Sequence, residues 1–132
     1  MLTTGGRIPV FFNSEGRQLA KLRRLHPDPI TEMHPETAAR LGIADGDWIW
    51  IETLRGRIRQ RARFVDGMDP RVISSQHAWW FPEEKDPEHG IWKSNVNVLT
   101  NIEGPHDPAM GTYHLRALLC RVSKAEEPVS PS

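Results

Sequence analysis

Residues 30–64 read ITEMHPETAARLGIADGDWIWIETLRGRIRQRARF, and this stretch decides the fold. Residues 30–33 form a short strand. His34 suits a helix N-cap, with Pro35 at the first helical position, where a missing N–H costs nothing. Glu36 falls in the first turn, where the helix dipole favours an acid. Ala38, Ala39 and Leu41 sustain the helix, and Gly42 fits the left-handed position that ends it. Residues 44–47, ADGD, are turn chemistry, and residues 48–53, WIWIET, are rich in strand formers. LRGR at 54–57 reverses the chain into an alternating strand over 58–64. A helix between strands makes a crossover rather than a plain meander.

To the N-terminal side, TTGGR at residues 3–7 reads as a Gly-centred loop whose consecutive N–H groups could form an anion-binding nest. After a short apolar segment at 8–12, Asn13 or Ser14 is expected to cap an amphipathic surface helix over 17–25. Leu19, Leu22 and Leu25 recur along it, with Arg17, Lys21, Arg23 and Arg24 around them. To the C-terminal side come a turn at 66–70, a strand at 71–75 and an aromatic cluster, HAWWFP, at 77–82. A polar excursion follows at 83–90, then a segment at 92–100, an irregular loop at 101–111 and a last apolar strand at 114–122. The reading is mainly β with short helices: a mixed barrel of six or seven strands over residues 1–124, with a disordered tail at 125–132.

The chain has 132 residues, with 17 basic and 17 acidic side chains and no net charge. That balance argues against a nucleic-acid binder, which carries a basic excess. The single cysteine, Cys120, excludes a disulfide framework or a multi-cysteine metal site within the chain. No apolar run reaches membrane-spanning length, and residues 1–7 lack the apolar core of a signal peptide. A soluble domain without membrane contact is expected, in a compartment the sequence does not specify.

Several features bear on chemistry. Arg57, Arg59, Arg61 and Arg63 share one face of a strand. They read as a solvated outer barrel face, with Glu52 on the neighbouring strand as a partner. The six histidines show no metal-ligand spacing, and no metal site is expected. His77 stands out, beside Trp79 and Trp80 at a strand end, where a barrel mouth can take a ligand. No nucleophile sits in a recognisable motif, and no catalytic residue is assigned. A composite remains. The residue 4–7 loop suits phosphate, Asn95 and Asn97 can read a heterocycle if their segment is extended, and Trp79 and Trp80 can enclose a ring. Together they suggest a nucleotide-like ligand.

The same residues carry a family resemblance. TTGGR at 3–7, HPETA at 34–38, LGIADGD at 41–47, RGR at 55–57, Trp79-Trp80, Asn97 with Leu99-Thr100, and Asp107-Pro108 stand in this order. The pattern resembles the C-terminal dinucleotide-binding domain of molybdopterin oxidoreductases of the dimethyl sulfoxide reductase family. The likeness runs from Leu2 to about Ser123. It implies a double-psi β-barrel that binds molybdopterin guanine dinucleotide, with molybdenum or tungsten held by the holoenzyme. It places cofactor contacts at Thr4, Gly5, Gly6 and Arg7, where this sequence has one extra glycine, and near Asn13 and Ser14. Further contacts fall on Trp79 (or Trp80), Asn97 and Arg116. The family's metal-ligating residue lies in other domains. The resemblance therefore implies a cofactor-binding domain, fragment or small subunit of a larger oxidoreductase, partnered by its remaining domains or catalytic subunit and not catalytic alone. A double-psi barrel serving as a non-enzymatic recognition domain of a larger assembly is the alternative. The 4–7 loop and Asn97 discriminate, because a protein-binding barrel needs neither.

Overall fold

The computed structural model describes residues 1–127. One seven-stranded mixed sheet dominates. Its strands are β1 (Leu2–Gly6), β2 (Ile30–Met33), β3 (Trp48–Glu52), β4 (Arg57–Phe64), β5 (Ile73–Gln76), β6 (Arg116–Leu118) and β7 (Arg121–Lys124). The spatial order is β6-β1-β5-β2-β4-β3-β7. Three short helices accompany it: α1 (Ala20–Leu25), α2 (Pro35–Arg40) and α3 (Ile91–Ser94).

The organising stretch folds as its residues dictate. His34 Nδ1 accepts the Glu36 N–H at 3.1 Å, Pro35 opens α2, and Gly42 adopts φ 65° just beyond its end. β3 and β4 then pair antiparallel, with Ile51 opposite Ile58 and Trp48 opposite Arg61. β2 lies parallel to β4. The crossover carried by α2 and β3 makes that parallel pairing possible.

The ends of the sheet explain its shape. β6 and β7 are its two edges, yet only Leu119 and Cys120 separate them in sequence. Flat, a seven-stranded sheet would set its edges about 29 Å apart. The three Cα steps from Leu118 to Arg121 reach about 11 Å at most. The sheet must curl until its edges approach. The last apolar strand expected at 114–122 is thus two strands, each on a different edge. Ala125 is buried and donates to the Trp48 carbonyl at 2.8 Å, so ordered chain continues past β7. Residues 128–132 of the expected tail lie outside the described residues.

Leu2, Met33, Ile49, Ile51, Ile58, Ile73, Val96 and Leu99 fill the inside of the curl. A polar network crosses this core. Thr31 Oγ1 donates to Gln60 Oε1 and contacts Ser75 Oγ, both at 2.9 Å. Gln60 Nε2 donates to the carbonyls of Gln76 and Ser94, both at 3.0 Å. Gln60 is fully buried.

Three local expectations change. α1 is shorter than the expected 17–25 helix. Its N-cap is Leu19, without a side-chain bond, because the helix begins at Ala20, beyond the capping reach of Asn13 and Ser14. Residues 95–100 are not extended: α3 runs into a 3-10 turn at Val96–Leu99, nucleated by Asn95 Oδ1 accepting the Asn97 N–H at 3.0 Å. Residues 3–6 are strand rather than loop, held between β5 and β6.

The arginine ridge is an outer face, as expected, but its partners differ. Arg61 pairs with Asp28 at 2.7 Å and Arg63 with Glu32. The Arg57 guanidinium lies over Trp50 at 4.5 Å, and Arg61 over Trp48 at 4.8 Å. β3 supplies the aromatic surface, and planar guanidinium groups cover it.

Two substitutions test these packing claims by thermal and urea unfolding. Gln60→Ala removes donors from two buried carbonyls and leaves a void, and should cost about 3 kcal/mol. Gly6→Ala places a Cβ 2.9 Å from the Ser75 carbonyl oxygen. It should cost about 1–3 kcal/mol, whereas Gly67→Ala, which meets nothing within 4 Å, should stay within about 0.5 kcal/mol of the parent.

Candidate functional site

β1 and β5 run parallel, so their C-terminal ends emerge side by side. A cavity of about 430 Å³ lies beyond them, lined by Arg7, Ile8, Pro9, Phe11, Phe12, Asn13 and His77. His77 ties its walls together. Its backbone N–H donates to the Gly6 carbonyl at 3.2 Å, and its Nδ1 lies 2.8 Å from the same oxygen. A carbonyl only accepts, so Nδ1 carries the proton. His77 Nε2 then lies 3.3 Å from the Asn13 side chain. Asn13 holds a left-handed backbone with φ 51°, a conformation asparagine tolerates better than most residues.

The glycines work by closeness rather than by turning. Neither Gly5 nor Gly6 has a positive φ, so the expected nest does not form. The Arg116 guanidinium instead lies against Gly5, where a Cβ would come within 3.1 Å of it. Gly5 thus leaves room for the Arg116 guanidinium against β1. Among the described residues, neither Arg7 nor Arg116 makes an ion pair. Arg7, exposed on the cavity lining and without a carboxylate, is a donor that fits a phosphate-bearing group.

The other expected contacts are distributed differently. The Thr4 hydroxyl is buried and donates to the Leu115 carbonyl. The Ser14 carbonyl accepts the Trp80 indole N–H at 2.6 Å. Trp79 has no exposed surface and supports the cavity from behind. Asn97 is exposed and faces a second hollow of about 520 Å³, shared with Arg55, Thr100, Tyr113 and Leu115. Asn95 caps the 3-10 turn and does not join it there. No group of three His, Cys, Asp or Glu side chains among the described residues could hold a metal ion.

Sequence reasoning missed the centre behind the cavity. Arg17, expected on a helix surface, is 1% exposed. Its guanidinium stacks on Phe11 and on Trp79, each at 4.7 Å. Arg23 lies over Trp79 at 5.3 Å and over Phe81 at 5.6 Å. Burial pulls the Arg17 pKa down to about 10, with a further push from Arg23. Gln76 Oε1 accepts from the Ile30 N–H at 3.0 Å and from Trp79 Nε1 at 3.3 Å, and lies 2.8 Å from His26 Nε2. The abundance of aromatics at 11–12 and 79–81 was the one available signal of a second, cation-filled cluster.

The family model described as "Molydopterin dinucleotide binding domain" matches residues 1–118. The chain belongs to this family. The resemblance to molybdopterin oxidoreductases is borne out by relatives. The chain is 48% identical over 129 residues to a dopamine dehydroxylase from Eggerthella lenta, covering 98% of this chain and 13% of that one. It is 35% identical over 122 residues to an acetylene hydratase from Syntrophotalea acetylenica, covering 88% and 17%. The solved acetylene hydratase from Pelobacter acetylenicus superposes on 94% of this chain and 18% of its own, with TM-score 0.88 and 29% identity. The chain thus spans less than a fifth of the length of these relatives. No helix among the described residues is long and apolar enough to cross a membrane.

His26 gives this region a pH signature. Burial lowers its pKa from 6.5, outweighing the Gln76 hydrogen bond that raises it. A group with a depressed folded pKa binds protons more readily when unfolded, so stability is lost as pH falls through the window below about 6.5. Urea unfolding at pH 7.5 and 5.5 should show lower stability at the acid end. His26→Gln should flatten that difference.

Proposed function

We propose that this domain positions one molybdopterin guanine dinucleotide in a molybdenum or tungsten oxidoreductase, with its curled sheet forming a double-psi β-barrel. The observation that carries the reading is Arg7 on the cavity lining, with Arg116 against Gly5 on the same strand end, both lacking carboxylate partners among the described residues. Their forked N–H groups suit the pyrophosphate oxygens. In this proposal Gly5 and Gly6 let other groups approach the backbone closely, and Asn13 on the cavity lining, with the neighbouring Ser14, contributes further polar contacts. Thr4 and Trp79 hold the site from behind. Asn97, in the second hollow, offers an amide for the heterocyclic portion of the same extended ligand. The bound group supplies the oxo- or electron-transfer chemistry. This chain's residues bind it, orient it and shield it from water.

The reaction is set elsewhere in the protein. A dehydroxylase and a hydratase both stand among the relatives. The domain itself brings no catalytic group in this proposal. The remaining domains, or a separate catalytic subunit, supply the metal ligand and the substrate pocket.

Arg7→Ala in the protein containing this domain should lower its content of guanine dinucleotide and metal, with Arg116→Ala acting in the same direction. Each removes a charge-assisted contact, so retention should weaken about tenfold. Nucleotide released by acid and metal measured by mass spectrometry check this. Full dinucleotide and metal content in both variants would sink the assignment.

A further inference from the structure

Arg17 has a use that neither hydrophobic packing nor surface charge explains. It is 1% exposed, yet no carboxylate pairs with it among the described residues. Burying a cation without a counterion is costly, and such a group is tolerated only where other interactions replace water. Here two aromatic faces and two carbonyls do so. The guanidinium sits in the corner that the mutually perpendicular Phe11 and Trp79 rings make, 4.7 Å from each. Its Nη1 donates to the Asn13 carbonyl at 2.8 Å, and its Nη2 donates to the His77 carbonyl at 3.4 Å. Its buried Nε has no partner.

Those two carbonyls belong to residues that both line the cavity. The Asn13 side chain lies 3.3 Å from His77 Nε2, which accepts a hydrogen bond when the amide turns its NH2 toward the ring. Arg17, Asn13 and His77 thus form a ring, with Arg17 at its buried corner. Asn13 holds a left-handed backbone, and the Arg17 contact at its carbonyl helps fix it. The ring also leaves one permanent positive charge behind a cavity that already carries Arg7 at its edge.

We propose that Arg17 is the positioning residue of this cavity: it fixes Asn13 and His77 through their backbones and places a fixed cation behind a phosphate-bearing ligand. The inference rests on the dinucleotide-binding reading and adds to it a buried residue that touches no ligand. Lysine cannot reproduce the role fully. It keeps the charge, but it has neither the planar surface that lies against the aromatic corner nor the rigid fork that reaches two carbonyls.

The test uses the intact protein that contains this domain. Arg17→Met, Arg17→Lys and the distant core variant Ile58→Val are purified, and their melting temperatures are measured. Bound dinucleotide is then followed during dilution into ligand-free buffer, through the fluorescence of the released pterin. Arg17→Met should release the dinucleotide about tenfold faster than the parent, the loss expected for one charge-assisted contact. Arg17→Lys should fall between the two, and Ile58→Val should match the parent despite its lower stability. Release from Arg17→Met at the Ile58→Val rate would overturn the inference and leave the binding reading standing. If Arg17→Met does not fold, Arg17→Lys decides against the same control: faster release supports the role, and equal release overturns it. Parent protein purified without dinucleotide would overturn the binding reading and this inference with it.

Discussion

The Gln60 amide is the interaction on which the rest of the fold depends. It sits on β4 between inward-facing Ile58 and Ala62, with no exposed surface. Its oxygen accepts from Thr31 on β2, and its nitrogen donates to the carbonyls of Gln76 on β5 and Ser94 on α3. Ser94 in turn donates to the Arg59 carbonyl at 2.7 Å. A buried polar group must be satisfied in one geometry, whereas an aliphatic side chain accepts many. The network therefore fixes how β2, β4, β5 and α3 meet. The end of β5 is also the start of the candidate site, so the core and the cavity share this anchor.

A second centre lies behind the cavity and has a different character. Arg17, Arg23, Phe11, His26, Trp79 and Phe81 pack where residues 11–26 meet residues 77–81. Trp79 takes a guanidinium from Arg17 and another from Arg23. Stacking of this kind retains charge within an apolar setting and limits motion of the planar groups. α1 buries no residue. The region is held on by this cluster and by the Gln76 bonds rather than by a continuous hydrophobic face.

These two centres divide the labour of the domain. The curled sheet sets the ends of β1 and β5 side by side. The cation–aromatic cluster holds the opposite wall, and the arginines at its rim face outward. In the proposed reading, such a domain holds a large anionic ligand and leaves the chemistry to the rest of the protein; its relatives include a dehydroxylase and a hydratase.

Local sequence determined what depends on neighbours in the chain. The His34-Pro35 cap, the α2 helix, the Gly42 stop and the β3–β4 hairpin were all legible at residues 30–64, because capping, propensity and alternation act over a few positions. The family motifs also pointed to Arg7 and Asn13, which both line the cavity, and to Arg116, which lies against Gly5 on β1. Tertiary structure decided everything that rests on distant pairing. The Thr4–Gly6 stretch became strand because β5 and β6 flank it. Residues 95–99 became a 3-10 turn because the Asn95 side chain caps it locally and Val96 and Leu99 find the core. Arg17 moved from an expected surface to the interior, because its aromatic partner Trp79 lies far along the chain. The sequence pattern contains no periodicity that reports such a contact, since cation and ring meet only after the sheet has curled.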